Sequence, residues 1–128
     1  MDTELFLQML NMDSTSGKER EFADFLAVRF DRSGRRIQVF EAEGGFRNVL
    51  VSWGNPKVFF CSHLDTVPPY ISTSVDDLPD VVFRGRGTCD AKGQIFAMYE
   101  ACKALEAQGR TDFALLLLYG EETGSFGA

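Results

Sequence analysis

Residues 57–69 read KVFFCSHLDTVPP, and the interpretation of this stretch decides the fold. The apolar run from Val58 to Cys61 is unbroken, the pattern of a strand buried on both faces of a sheet. Thr66, Val67, Pro68 and Pro69 end it, because proline has no N–H to give to a sheet ladder. His63, the one histidine of the chain, and Asp65 then fall where the strand leaves the sheet at its carboxyl end. Ligands of open α/β sheets bind at that end, so this stretch is the expected anchor of a metal site.

On its N-terminal side, residues 48–53 read as another strand, and Gly54, Asn55 and Pro56 as a tight turn that makes the two strands a hairpin. Residues 36–41 alternate, with Ile37 and Val39 on one side, as a half-exposed strand does. Gly44 and Gly45 turn the chain after it. Leu5, Phe6, Met9 and Leu10 recur at helical period over residues 3–10. Ser16 with Glu19 three positions on has the form of a capping box, opening a second helix through about Arg32. Phe22, Phe25, Leu26 and Phe30 are its core face, and Gly34 closes it.

On the C-terminal side, residues 71–80 are polar and acidic and read as a loop, with Asp76, Asp77 and Asp80 in solvent. Residues 81–84 read as a short strand, and Arg84 and Arg86 are expected to pair with local acids. GRGTCDAKG, residues 85–93, leads into a long helical pattern to about Gln108. Ile95, Met98, Tyr99, Cys102 and Leu105 line its inner face, and Gly109 stands at the C-cap. Residues 113–119 form a second fully buried strand, which ends in GEETGSFGA. The fold class is therefore α/β: a mixed, largely buried sheet of about five strands flanked by two or three helices. So few helices leave one sheet face thinly covered, which suggests the front part of a larger domain.

Thirteen basic against nineteen acidic side chains give a net charge of −6 in 128 residues. That sign argues against nucleic acid or an anionic membrane as partner and leaves carboxylates for a hard cation. No early segment has the form of a signal peptide or a membrane span. Cys61, Cys89 and Cys102 have no paired spacing, which fits a reduced, cytoplasmic setting.

Three motifs put chemistry at element ends: His63 and Asp65 after one buried strand, Glu121 and Glu122 after the other, and Asp90 before the long helix. If the two strands run parallel, all three emerge at one sheet edge. Histidine nitrogen with carboxylate oxygen suits Zn²⁺ and its neighbours. Asp65 is placed to hydrogen-bond the other ring nitrogen of His63, and a helix start favours an ionised Asp90. Adjacent in an extended backbone, Glu121 and Glu122 point different ways, so one can bind metal while the other faces a water.

CSHLDTVPP, GRGTCDAKG before a helix, and GEETGSFGA together closely resemble the metal-dependent amidohydrolase and exopeptidase family of acetylornithine deacetylase, succinyl-diaminopimelate desuccinylase, aminoacylases and dipeptidases. The resemblance implies a zinc-exopeptidase-like three-layer sandwich and a site for two zinc ions, or cobalt in their place. His63 would bind one ion, Asp90 would bridge both and Glu122 would bind the second. Asp65 would orient His63, Glu121 would be the general base, and the peptide after Asp90 would be cis. The implied reaction is attack of a metal-bound hydroxide on the amide of an N-acyl amino acid or small peptide. The loop after His63 leans toward the acetylornithine and succinyl-diaminopimelate deacylases.

In that family a further histidine and carboxylate come from later in the chain, as does an inserted smaller domain that serves dimerisation and closure. Residues 1–128 are thus expected to be the N-terminal part of a catalytic domain, weak in metal binding and inactive alone. The contrasting reading is a truncated or degenerate module kept for metal binding or assembly. A phosphate loop is disfavoured, because Ala91 precedes Lys92 and Gly93 follows it, where glycine and Ser or Thr are needed.

Overall fold

The computed structural model describes residues 2–76 and 80–128; Asp77 of the expected solvated loop lies outside them. Helix α1 spans Thr3–Leu10, α2 Arg20–Phe30 and α3 Lys92–Ala107. The strands are β1 Arg36–Glu41, β2 Arg47–Gly54, β3 Val58–His63, β4 Ser74–Asp76, β5 Val82–Arg84 and β6 Asp112–Leu118. Four strands form one sheet in the order β1-β2-β6-β3, and β4 pairs with β5 in a separate antiparallel ribbon. Part of the segment read as a loop is thus β4, held to β5 by the register pair Val75 and Phe83.

Helix α1 starts where Asp2 accepts a hydrogen bond from Leu5 N–H (3.0 Å), and it buries Leu5, Phe6, Met9 and Leu10 as its periodicity requires. Helix α2 begins at Arg20, not at Ser16. Gly17 adopts φ 99°, and Glu19 uses a carboxylate oxygen to accept from Gly17 N–H, so no capping box forms. Phe22, Ala23, Leu26 and Phe30 are buried under the sheet, with Phe25 at the margin.

The expected β2–β3 hairpin is absent, because β6 lies between the two strands, antiparallel to β2 and parallel to β3. Asn55 N–H donates to Thr111 O and Lys57 N–H to Asp112 O, so the link steps over the start of β6. Three extended residues reach about 10 Å, enough to pass one strand at a spacing of about 4.8 Å. A short turn therefore serves either topology.

Strand β3 is also not buried on both faces. Among the described residues it has a neighbour on one side only, and Val58 and Phe59 are each 54 % exposed. The central position belongs to β6, flanked by β2 and β3, where Phe113, Ala114, Leu115 and Leu117 are buried.

Register explains the core. Val49, Val51 and Trp53 of β2 face Leu117, Leu115 and Phe113 of β6, and these six pack against all three helices in one cluster. The opposite face carries Phe40, Leu50, Phe59, Cys61, Leu116 and Leu118, none of them fully buried. Two layers of the three-layer arrangement are present among the described residues. No helix among them is long and apolar enough to cross a membrane.

Candidate metal centre

His63 and Leu118 are register partners at the last positions of β3 and β6, and Leu64 N–H donates to Leu118 O (2.7 Å). Both parallel strands therefore release their loops at one edge. Gly120, at φ 64°, turns the chain after β6 into a single 3-10 turn, Glu121–Thr123. The two glutamates sit in that turn and not in extended backbone.

Asp65 is fully buried beneath them. Its Oδ1 accepts from Glu121 N–H (3.0 Å) and its Oδ2 from Glu122 N–H (3.1 Å) and the Ser16 hydroxyl (2.9 Å). Burial works to raise its pKa. Hydrogen bonds from His63, Ser16 and the two amides outweigh that and hold the carboxyl below its usual range. One carboxylate thus fixes the 63–66 loop against the 120–123 turn.

The His63 ring is oriented at both ends. Nδ1 lies 2.8 Å from the Asp65 main-chain oxygen and 3.4 Å from Asp65 Oδ1, both acceptors, so this nitrogen carries a proton. Nε2 faces outward, 3.0 Å from Asp90 Oδ1 and 3.9 Å from Glu121 Oε2. The Asp65 carboxylate above all, then its carbonyl and Asp90, lift the imidazole to about 9 against the opposing effect of burial.

Asp90 stands two residues before α3, and its peptide bond to Ala91 is cis. The turn is tight, since a Cβ on Gly93 would stand 2.1 Å from Thr88 O. Lys92 is buried and donates from Nζ to Met9 O (2.9 Å) and Met12 O, tying the turn to the end of α1.

One ligand atom each from His63, Asp90 and Glu122 lies within 4.8 Å of the others. Bonds of about 2.0–2.2 Å put neighbouring donors of a tetrahedral zinc about 3.4 Å apart, so small side-chain rotations close the set. Glu122 is held above its ordinary pKa, by burial first and by the Asp90 charge second, with His63 opposing. Clustered acids of this kind suit a cation. Glu121 is half exposed beside the trio.

Two residues of this region escaped sequence reasoning. Ser16 read as a helix cap but is bonded to Asp65; the Gly17 that follows it was the available signal against a helix start. Lys92 was weighed only as a phosphate-loop lysine. Elsewhere Arg84 pairs with Asp76 (3.0 Å) as expected, whereas Arg86 donates to the Pro69 carbonyl. Cys89, beside Asp90, is exposed.

A mixed sheet thus releases one histidine and several carboxylates at a single edge, a donor set suited to a metal ion. The profile of Peptidase family M20/M25/M40 matches residues 59–128, more than half of the chain, and the chain belongs to this family. A "probable carboxypeptidase" of Aspergillus fumigatus is 41 % identical over 142 residues, covering 93 % of this chain and 32 % of its own length. One from Emericella nidulans is 32 % identical, covering 96 % and 31 %. The crystal structure of aminopeptidase PepT from Bacillus cereus superposes with a TM-score of 0.72 at 25 % identity, over 95 % of this chain and 36 % of that one. A tripeptidase from Staphylococcus aureus shares the fold, with a TM-score of 0.67 at 22 % identity over 93 % and 36 %. The chain spans about a third of the length of these relatives.

Proposed function

We propose that this chain is the N-terminal part of a catalytic domain whose complete protein hydrolyses an amide bond in a small peptide, using zinc. The observation that carries the reading is the convergence of His63, Asp90 and Glu122 donor atoms within 4.8 Å at the edge where β3 and β6 end. In this reading His63, Asp90 and Glu122 would hold the zinc ions, with further ligands from outside residues 1–128. Bound zinc, or cobalt, supplies Lewis acidity and a water of lowered pKa.

The chain's own residues do the rest. Asp65 keeps a His63 proton on Nδ1, so that Nε2, once its own proton has left, would offer its lone pair to a metal ion. Through the Glu121 and Glu122 amides the same carboxylate sets where both glutamates start. Glu121, half in solvent with its Oε2 3.9 Å from His63 Nε2, is the group that takes and returns a proton.

Relatives named carboxypeptidase and aminopeptidase favour a peptide substrate over the N-acyl amino acids of the deacylase branch. The uncovered sheet face supports the partial-domain reading. The test is zinc analysis of a protein extended beyond Ala128, with hydrolysis assays on di- and tripeptides and on N-acetyl and N-succinyl amino acids. Stoichiometric zinc, peptide cleavage and a Glu121→Gln variant that keeps zinc but loses about 10²–10⁴-fold in turnover are expected. Stoichiometric zinc without cleavage of any of these substrates would instead identify a non-catalytic metal-binding module.

A further inference from the structure

The connection between α1 and α2 lies against both metal-bearing loops. On one side, Thr66 N–H donates to Ser14 O (2.9 Å) and Ser16 N–H to Thr66 O (3.0 Å), around a bridge between Thr15 and Thr66. On the other, buried Lys92 holds Met9 O and Met12 O at the end of α1. Within this brace one side chain reaches the site itself: Ser16 Oγ donates to Asp65 Oδ2 at 2.9 Å.

The geometry assigns Ser16 as a positioning residue that fixes the Asp65 carboxylate plane and, through it, the His63 ring and the Glu121–Glu122 turn. Asp65 accepts from the Ser16 hydroxyl and the two glutamate amides, and its Oδ1 lies 3.4 Å from His63 Nδ1. Three of these four groups belong to the elements being positioned. Ser16 alone comes from outside them, so it provides an external reference for the carboxylate. Its hydroxyl serves nothing else in the fold: α2 starts four residues later, and Glu19 answers Gly17 N–H. A carboxylate that has lost one hydrogen-bond donor regains freedom about its last torsion, which is broad and roughly two-fold. The Nδ1 contact and the two amide bonds then loosen together.

This assignment rests on the metal-site reading for its consequence but not for its geometry, and the experiment separates the two. The backbone bonds at Ser14, Ser16 and Thr66 do not involve the hydroxyl, so Ser16→Ala retains the docked loop. In the metal-free 128-residue chain, ¹⁵N NMR reads the ring nitrogens of the sole histidine and the amides of Glu121 and Glu122. Zinc titration of the same variants in the protein extended beyond Ala128 reads affinity. Ser16→Ala is expected to shift all of these signals and to weaken zinc about tenfold, while Ser16→Thr, which keeps the hydroxyl, restores both. Ser16→Cys, near-isosteric with a weaker donor, falls between and covers a failure of the alanine variant to fold. A change in unfolding midpoint alone, with the His63 and glutamate signals unmoved, overturns the assignment. Signals that shift on Ser16→Ala while the protein extended beyond Ala128 binds no zinc uphold Ser16 and sink the metal reading.

Discussion

His63 ends β3 directly opposite Leu118 at the end of β6, and this parallel register pair brings the site together. From it the chain needs only two residues to reach Asp65 and three to reach Glu121. The loops are short enough for the Asp65 carboxylate to accept both glutamate amides. Everything at this edge depends on β6 entering the sheet beside β3.

The His63 imidazole is predicted to titrate near 9 in the metal-free chain, against an ordinary 6.5. A raised histidine pKa stabilises the fold fully below about 6.5, and that contribution is lost as pH rises through about 9. The ring proton signals of the single histidine report the midpoint directly. Asp65→Asn should bring it down toward the ordinary value, and an unchanged midpoint would contradict the orientation described above.

Gly93→Ala is expected to destabilise. Alanine in a helix normally gains up to about 1 kcal/mol over glycine. Here the added Cβ would stand 2.1 Å from Thr88 O, a backbone atom that cannot yield without moving the Asp90 turn. Urea unfolding should show a loss of about 2 kcal/mol or more, in the range of overpacked positions, and zinc affinity should fall with it.

Arg35 and Glu106 make an acid-sensitive clamp far from the site. The Arg35 side chain is buried and donates twice to Glu106 (2.9 and 2.6 Å), which also accepts from Trp53 Nε1 (2.8 Å). The Arg35 bonds above all hold Glu106 below the usual glutamate range. A depressed carboxylate pKa stabilises above the unfolded value of about 4.3, and that stability is lost as pH falls through the lower folded value. Glu106→Ala should cost about 2–3 kcal/mol by taking the acceptor from Arg35 Nε and Nη2 and from the Trp53 indole N–H, and it should flatten the acid limb of a stability–pH curve.

Phe59 and Leu115 separate edge from centre. Leu115→Ala removes a fully buried side chain and is expected to cost about 2–5 kcal/mol. Phe59, 54 % exposed on the outer face of β3, should cost under about 1 kcal/mol when replaced by alanine. Equal losses in chemical denaturation would show that β3 is covered in solution.

Helices α1 and α3, the existence of most strands and the motifs that carry His63, Asp90 and Glu122 were legible in local pattern. Helical period marks Leu5, Phe6, Met9 and Leu10, and unbroken apolar runs mark β3 and β6. Such signals arise from side-chain direction along one element, so they survive without knowledge of neighbours. Only the tertiary structure decided which run is central, that β6 separates β2 from β3, and that Ser16 bonds Asp65 rather than capping α2. Burial and strand order depend on partners distant in sequence, and a hydroxyl chooses its acceptor by position in space; neither leaves a periodic trace in the chain.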